Sequence, residues 1–112
     1  NLVMVTGDDP VAAVHNLKDY IVHTHAKDGR MLVKGNPEYI YRVVHPVPAE
    51  VQGIRYYEEV PLGTGSVDFP KYLAALEEVG YRGYLTIERE VGADPAGDIA
   101  KAADFLRGII NA

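Results

Sequence analysis

The sequence contains no cysteine, which excludes disulfide bonds, thiolate catalysis and zinc sites built on cysteine. No apolar run approaches the roughly 20 residues that a membrane-spanning helix needs. The 11 lysine and arginine residues are scattered singly among 16 aspartates and glutamates, and the net charge is −5. Because nucleic-acid surfaces need clustered basic residues, this distribution argues against a nucleic-acid partner. With 47% apolar residues in 112, we expect one globular, cytoplasmic domain.

One helix-start signal occurs three times, an aspartate followed within two residues by a proline, at residues 9–10, 68–70 and 94–95. The aspartate can accept hydrogen bonds from the free amides of a first helical turn, and proline fits there because its missing N–H is not needed. Apolar residues follow at helical spacing. We therefore predict helices over residues 10–19, 69–79 and 95–110.

Short strand-like runs follow two of these helices, at residues 20–26 and 84–88. Helices that alternate with strands through tight links predict an α/β fold with a parallel sheet. Residues 29–66 break this alternation with repeated glycines and prolines, and we predict a long loop in which 31–33 pairs with 54–60 as a hairpin. The segment 63–65 (GTG) is a weak phosphate-loop signal because it lacks a third glycine and a lysine.

Alternation along the strands places His23 and His25 on one face of the first strand. On the second strand, Glu88 lies on one face, while Leu85 and Ile87 lie on the other face, which we expect to pack under helices. His25 and Glu88 both come at the carboxyl ends of their strands, where parallel α/β folds build their sites. The pattern alone leaves two interpretations open. The two residues either bind a divalent cation or serve structural and ion-pairing roles.

Three segments, in their order and spacing, resemble the sugar phosphate isomerase/epimerase family of xylose isomerase-like TIM barrels: residues 23–28 (HTHAKD), 61–69 (PLGTGSVDF) and 80–88 (GYRGYLTIE). The resemblance implies that residues 1–112 form a partial domain, the C-terminal portion of a (β/α)8 TIM barrel comprising its last two to three βα units. The chain opens inside an apolar segment, and we expect it to be cut from a longer protein. Since its sheet would have an open edge, we expect a homo-oligomer or association with the missing N-terminal part.

The resemblance also implies one divalent metal (Mn, Mg, Co or Zn), which the family holds with Glu, Asp, His and Glu from four strands. His25 and Glu88 correspond to two of these ligands, and the other two would lie upstream of Asn1. In the family the metal polarises a sugar carbonyl while a carboxylate moves a carbon-bound proton through a metal-stabilised enediolate. The residue expected to carry this acid/base step is Glu88.

Three further residues are candidates for binding the substrate, a sugar or sugar phosphate. His23 precedes the predicted ligand, Lys27 matches the family's Lys-Asp pair, and Arg30 lies near a substrate-binding arginine of some epimerases. For Lys27, an ion pair with Asp28 or Glu90 at the surface is an equally good interpretation.

Two other functions remain as alternatives. One is a metal-dependent phosphodiesterase of the endonuclease IV type, but that branch carries an Asp-x-His in the loop after the seventh strand, and residues 29–60 contain none. The other is a truncated barrel that is inactive by itself.

Overall fold

The computed structural model, which describes residues 1–112, places a helix after each aspartate–proline signal. In all three cases the aspartate accepts a hydrogen bond from an amide of the first turn, at 2.9 to 3.1 Å. A fourth, short helix is capped in the same way by Asn36. The α-helices are α1 (Pro10–Asn16), α2 (Pro37–Ile40), α3 (Phe69–Glu78) and α4 (Pro95–Ile110), and a short π-helix, Leu2–Thr6, precedes them. None of them is long and apolar enough to cross a bilayer.

Helix α1 ends three residues earlier than the predicted 10–19. Val14 is its last buried side chain, and Leu17, the next apolar residue, is exposed. Without a further core contact, nothing holds the polar residues after Leu17 in the helix. The chain instead turns there, with the Tyr20 amide donating to the Leu17 carbonyl at 2.8 Å.

The strands form two separate pairs. Strands β1 (Thr24–Ala26) and β4 (Leu85–Ile87) pair in parallel, while β2 (Asp28–Met31) and β3 (Tyr57–Val60) pair antiparallel. The predicted α/β fold with parallel strands is confirmed. The predicted strand over 20–26 is too long because residues 20–23 meet no neighbouring strand, and Val22 is 89% exposed.

The antiparallel pair begins earlier in the chain than the predicted pairing of 31–33 with 54–60. Its register matches Asp28 with Val60 and Met31 with Tyr57, so only Lys27 separates it from β1. Beyond Met31 the ladder stops because two successive amides, those of residues 32 and 33, both donate to the Tyr56 carbonyl. The rest of the predicted long loop contains α2 and a 3-10 turn, Ala49–Val51.

The β1–β4 pair has one covered face and one open face. Thr24 and Ala26 are buried, and Leu85 and Ile87 pack against the helices, as the alternation predicts. Two apolar clusters lie on this side, around Phe69 and Leu106 and around Val14 and Leu76. The open face carries His23, His25 and Thr86, all exposed.

A single buried carboxylate organises the loop between β3 and α3. Asp28 is completely buried and accepts hydrogen bonds from the amides of Gly29, Gly63, Gly65 and Val67, at 2.8 to 3.1 Å. The prediction of Asp28 as a surface partner of Lys27 is therefore wrong. The two glycine amides of the GTG segment, which resembled a phosphate loop, bind a carboxylate of the chain itself.

Gly65 is required by the close approach of this loop to Asp28. A Cβ at position 65 would overlap the Asp28 Oδ1 and lie 2.7 Å from the Gly29 carbonyl oxygen. Since the Gly29 carbonyl is backbone, no rotamer change could relieve that contact.

Replacing Asp28 with asparagine should lower the free energy of unfolding by about 3 kcal/mol, because an amide nitrogen would then face backbone N–H groups in a buried site. Urea unfolding of the purified protein measures the loss. Asp68→Asn is the matched control and should have little effect, since asparagine caps a helix as well as aspartate does. Equal losses in the two variants would contradict the role given to Asp28.

Gly65→Ala should destabilise the protein by about 2 kcal/mol through overpacking. Gly108→Ala should stabilise it by about 0.5–1 kcal/mol, because position 108 lies in α4 with open space around it and alanine is the better helix former. Thermal unfolding of both variants tests this. A neutral Gly65→Ala would show that the loop can move away from Asp28.

Candidate functional site

The carboxyl ends of β1 and β4 bring His25 and Glu88 together. The register pairs Ala26 with Ile87, and the Glu88 amide continues the ladder by donating to the Ala26 carbonyl at 3.0 Å. This places the His25 Nδ1 3.2 Å from the Glu88 Oε2. Two residues 63 positions apart in sequence therefore meet on the open side of the parallel pair.

The donor set formed by His25 and Glu88 suits a divalent metal. An imidazole nitrogen beside a carboxylate oxygen is a combination that Mn, Zn and Co accept. The structure contains no group of three or more potential ligands arranged around one point. Because zinc usually takes four ligands, the two residues fit part of a coordination sphere, and any ion held here would need ligands from outside the chain.

His23 lies against His25. The centroids of the two rings are 5.2 Å apart with the rings edge to face, and the His23 Nε2 is 3.2 Å from the Thr86 Oγ1. His23 thus contacts the predicted ligand directly and limits the orientations open to its ring.

Lys27 lies between carboxylates. Its Nζ is 3.1 Å from Glu90, 3.4 Å from Glu59 and 3.8 Å from Glu88, and its side chain is only 11% exposed. The ion pair with Glu90, the alternative predicted for Lys27, is present, but the Lys27 side chain is largely buried rather than at the surface. Burial acts to lower the pKa of Lys27, but the hydrogen bond to Glu90 and the charges of the three glutamates together raise the pKa.

Lys27 and the three glutamates around it, Glu59, Glu88 and Glu90, form a charged cluster, and this cluster also shifts the pKa of Glu88. The neighbouring Glu90 carboxyl, the charge of Lys27 and the interaction with His25 lower the pKa of Glu88, against the opposing effect of partial burial. Glu88 is consequently held as a carboxylate, the form that can bind a cation or accept a proton.

Glu59 is a member of this cluster that the sequence did not indicate. Its carboxylate is 4% exposed and accepts from the Arg89 guanidinium at 2.9 Å and from the Glu90 amide at 3.1 Å, besides its contact with Lys27. Arg89 is held on its other side by Asp98 of α4 at 2.8 Å. No spacing rule connects Glu59 with a residue 30 positions later, so only the folded chain shows the contact.

Arg30 lies apart from the cluster. Its guanidinium donates to the Thr64 carbonyl at 2.8 Å and is 3.8 Å from Glu58. The structure records no hydrogen bond or ion pair between Arg30 and His25, Lys27 or Glu88, so the predicted substrate-binding residues are not all brought together.

A cavity of about 850 Å³ opens beside the cluster. Its wall includes Lys27, Glu59, Arg89 and Glu90, together with the aromatic pair Tyr56–Tyr57 of the hairpin. Charged groups and aromatic rings thus both line the cavity, a combination that can bind a small polar molecule.

Comparison with known proteins gives one family and several relatives. The family described as xylose isomerase-like TIM barrel matches residues 1–109. The rhizopine catabolism protein MocC of Rhizobium meliloti is 35% identical over 102 residues, which are 87% of this chain and 28% of MocC. The L-ribulose-5-phosphate 3-epimerase UlaE of Escherichia coli is 40% identical over 53 residues, 46% of this chain and 19% of UlaE.

A solved structure shows the same fold. The xylose isomerase domain protein from Planctomyces limnophilus is 32% identical, with a TM-score of 0.70, over 97% of this chain and 34% of that protein. The chain therefore spans about a third or less of the length of the relatives that it matches.

The lowered pKa of Glu88 predicts how stability depends on pH in metal-free protein. Ionised Glu88 is favoured in the folded state, so its stabilisation is present above its ordinary pKa of 4.5 and is lost as the pH falls through the lower folded value. The free energy of unfolding should be higher for the wild type than for Glu88→Gln. This difference should be constant near neutral pH and should become smaller below pH 4.5. Denaturant titrations between pH 3 and 8 measure this. A difference independent of pH would contradict it.

Proposed function

Because the chain belongs to the xylose isomerase-like TIM barrel family, we propose that it supplies the last βα units of a (β/α)8 barrel with sugar isomerase or epimerase activity. In this proposal His25 and Glu88 are two ligands of a divalent metal (Mn, Mg, Co or Zn), and Glu88 also moves the proton. The observation that carries the proposal is the 3.2 Å contact between the His25 Nδ1 and the Glu88 Oε2 at the carboxyl ends of neighbouring parallel strands.

The unpaired edges of the β1–β4 pair support the proposal of a barrel. β1 and β4 pair only with each other, and Tyr20, Val22 and Tyr84 beside them are almost fully exposed. In a barrel, further parallel strands would pair with both edges, and the face bearing His25 would line the interior. We propose that the covering strands come from the remainder of the protein or from another copy of the chain.

The residues of the cluster divide the proposed chemistry among them. A bound divalent cation would supply a Lewis acid for the carbonyl of the substrate. Glu88, whose lowered pKa keeps it ionised to more acidic pH, accepts the proton from the adjacent carbon. His25, with its ring placed by His23, keeps the carboxylate oriented.

Recognition of the substrate would rest mainly on its hydroxyl groups. Lys27 can donate to a hydroxyl while it remains paired with Glu59 and Glu90. The backbone amides of Gly63 and Gly65, which could otherwise bind a phosphate, are taken by Asp28. Similarity to an L-ribulose-5-phosphate 3-epimerase makes that ketose, with and without its phosphate, the first substrate to compare.

Glu88→Gln should slow proton exchange at the substrate carbon by about a thousandfold, since glutamine cannot accept the proton. The measurement follows loss of the C–H signal by NMR in D₂O with L-ribulose and with L-ribulose 5-phosphate, using the protein that carries the whole barrel and added Mg²⁺, which is diamagnetic. Glu77→Gln, an exposed change on α3, is the matched control and should exchange at the wild-type rate. Undiminished exchange in Glu88→Gln would refute its role as the base.

A further inference from the structure

We propose that Glu59 is a positioning residue for Glu88, and that it acts by drawing the charge of Lys27 away from the metal-binding carboxylate. This inference rests on the proposed function, because it concerns how the chain keeps Glu88 available to a cation. It adds a residue of the β2–β3 hairpin to a site otherwise built on the parallel strands.

The contacts of Glu59 reach the segments that follow both parallel strands. Lys27 comes directly after β1, and Arg89 and Glu90 come directly after Glu88. The Glu59 carboxylate binds the side chains of Lys27 and Arg89 and also the Glu90 amide. With 4% of its side chain exposed, Glu59 is shielded from water, so these contacts are weakly screened.

Lys27 is the group that makes such an arrangement necessary. The Lys27 ammonium lies 3.8 Å from the Glu88 Oε2. Glu88 is the carboxylate that we expect to bind a divalent cation. Unless compensated, that charge would form a closer ion pair with Glu88 and would repel the cation. Glu59 and Glu90 lie closer to the ammonium than Glu88 does, at 3.4 and 3.1 Å, and so keep it from pairing closely with Glu88.

Glu58 offers a matched comparison. It precedes Glu59 in β3, but its ion-pair partners are Arg30 and Arg55, and neither contacts Lys27 or Glu88. Changing Glu58 to glutamine removes the same charge from the same strand without touching the cluster. A general effect of net charge would therefore follow from either substitution, whereas the proposed effect follows only from Glu59→Gln.

The test measures the affinity of the protein that carries the whole barrel for Mn²⁺ by titration calorimetry. Glu59→Gln should weaken binding about tenfold, the lower end of the range for changes around metal ligands. Glu58→Gln should leave it within about twofold. Adding Lys27→Met to Glu59→Gln should restore most of the affinity, because the repelling charge is then gone. A purely structural role for Glu59 would not be rescued by removing its partner.

The outcomes separate the two proposals. Absence of Mn²⁺ binding in the wild type would refute the proposed metal site and this inference with it. Normal binding in the wild type with equal affinities for Glu59→Gln and Glu58→Gln would overturn the inference alone, as would failure of Lys27→Met to restore binding. If Glu59→Gln does not fold, Glu59→Asp and Glu58→Asp are compared instead. Shortening the reach toward Lys27 should weaken Mn²⁺ binding in Glu59→Asp only, and equal affinities would overturn the inference.

Discussion

The carboxylate of Asp28 determines how the rest of this chain is arranged. Four backbone amides converge on its two oxygens, and three of them come from the loop that leads from β3 into α3. A buried charge is tolerated only when its hydrogen-bonding capacity is met, and here the main chain meets it. The interaction joins the hairpin to the start of the helix that packs under the parallel strands, so the position of the hairpin relative to those strands follows from it.

The cluster around Glu88 depends on that placement. Glu59 reaches Lys27, Arg89 and Glu90 only because β3 is held alongside β2, which follows β1 after one residue. Partly buried ion pairs contribute little when they are isolated but more when several charges share partners and are shielded from water. Arg89, bound by Glu59 on one side and Asp98 on the other, extends the cluster to α4. The site is thus supported from the hairpin, both parallel strands and a helix.

Local signals predicted the parts of the structure that depend on neighbours in sequence. The aspartates before proline gave all three helix starts, and alternation gave the faces of β1 and β4 and the approach of His25 to Glu88. The end of α1 and the extent of the first strand were misjudged because Leu17 makes no core contact and residues 20–23 pair with no neighbouring strand. Asp28 and Glu59 were missed because all their partners except the adjacent Gly29 amide lie about 30 or more residues away. These partners are backbone amides or single charges, for which the sequence has no periodic signal.

The single residue between β1 and β2 has a consequence for how this region can evolve. Side chains alternate along an extended backbone, so the chain passes from an exposed His25 through Ala26 and Lys27 to a buried Asp28. Inserting or deleting one residue at this junction would turn the aspartate toward water, leave the loop amides without an acceptor, and swing the ammonium away from its glutamates. Length variation is therefore expected to be tolerated in the stretch between α2 and β3, and to be absent from the six residues that begin at His23.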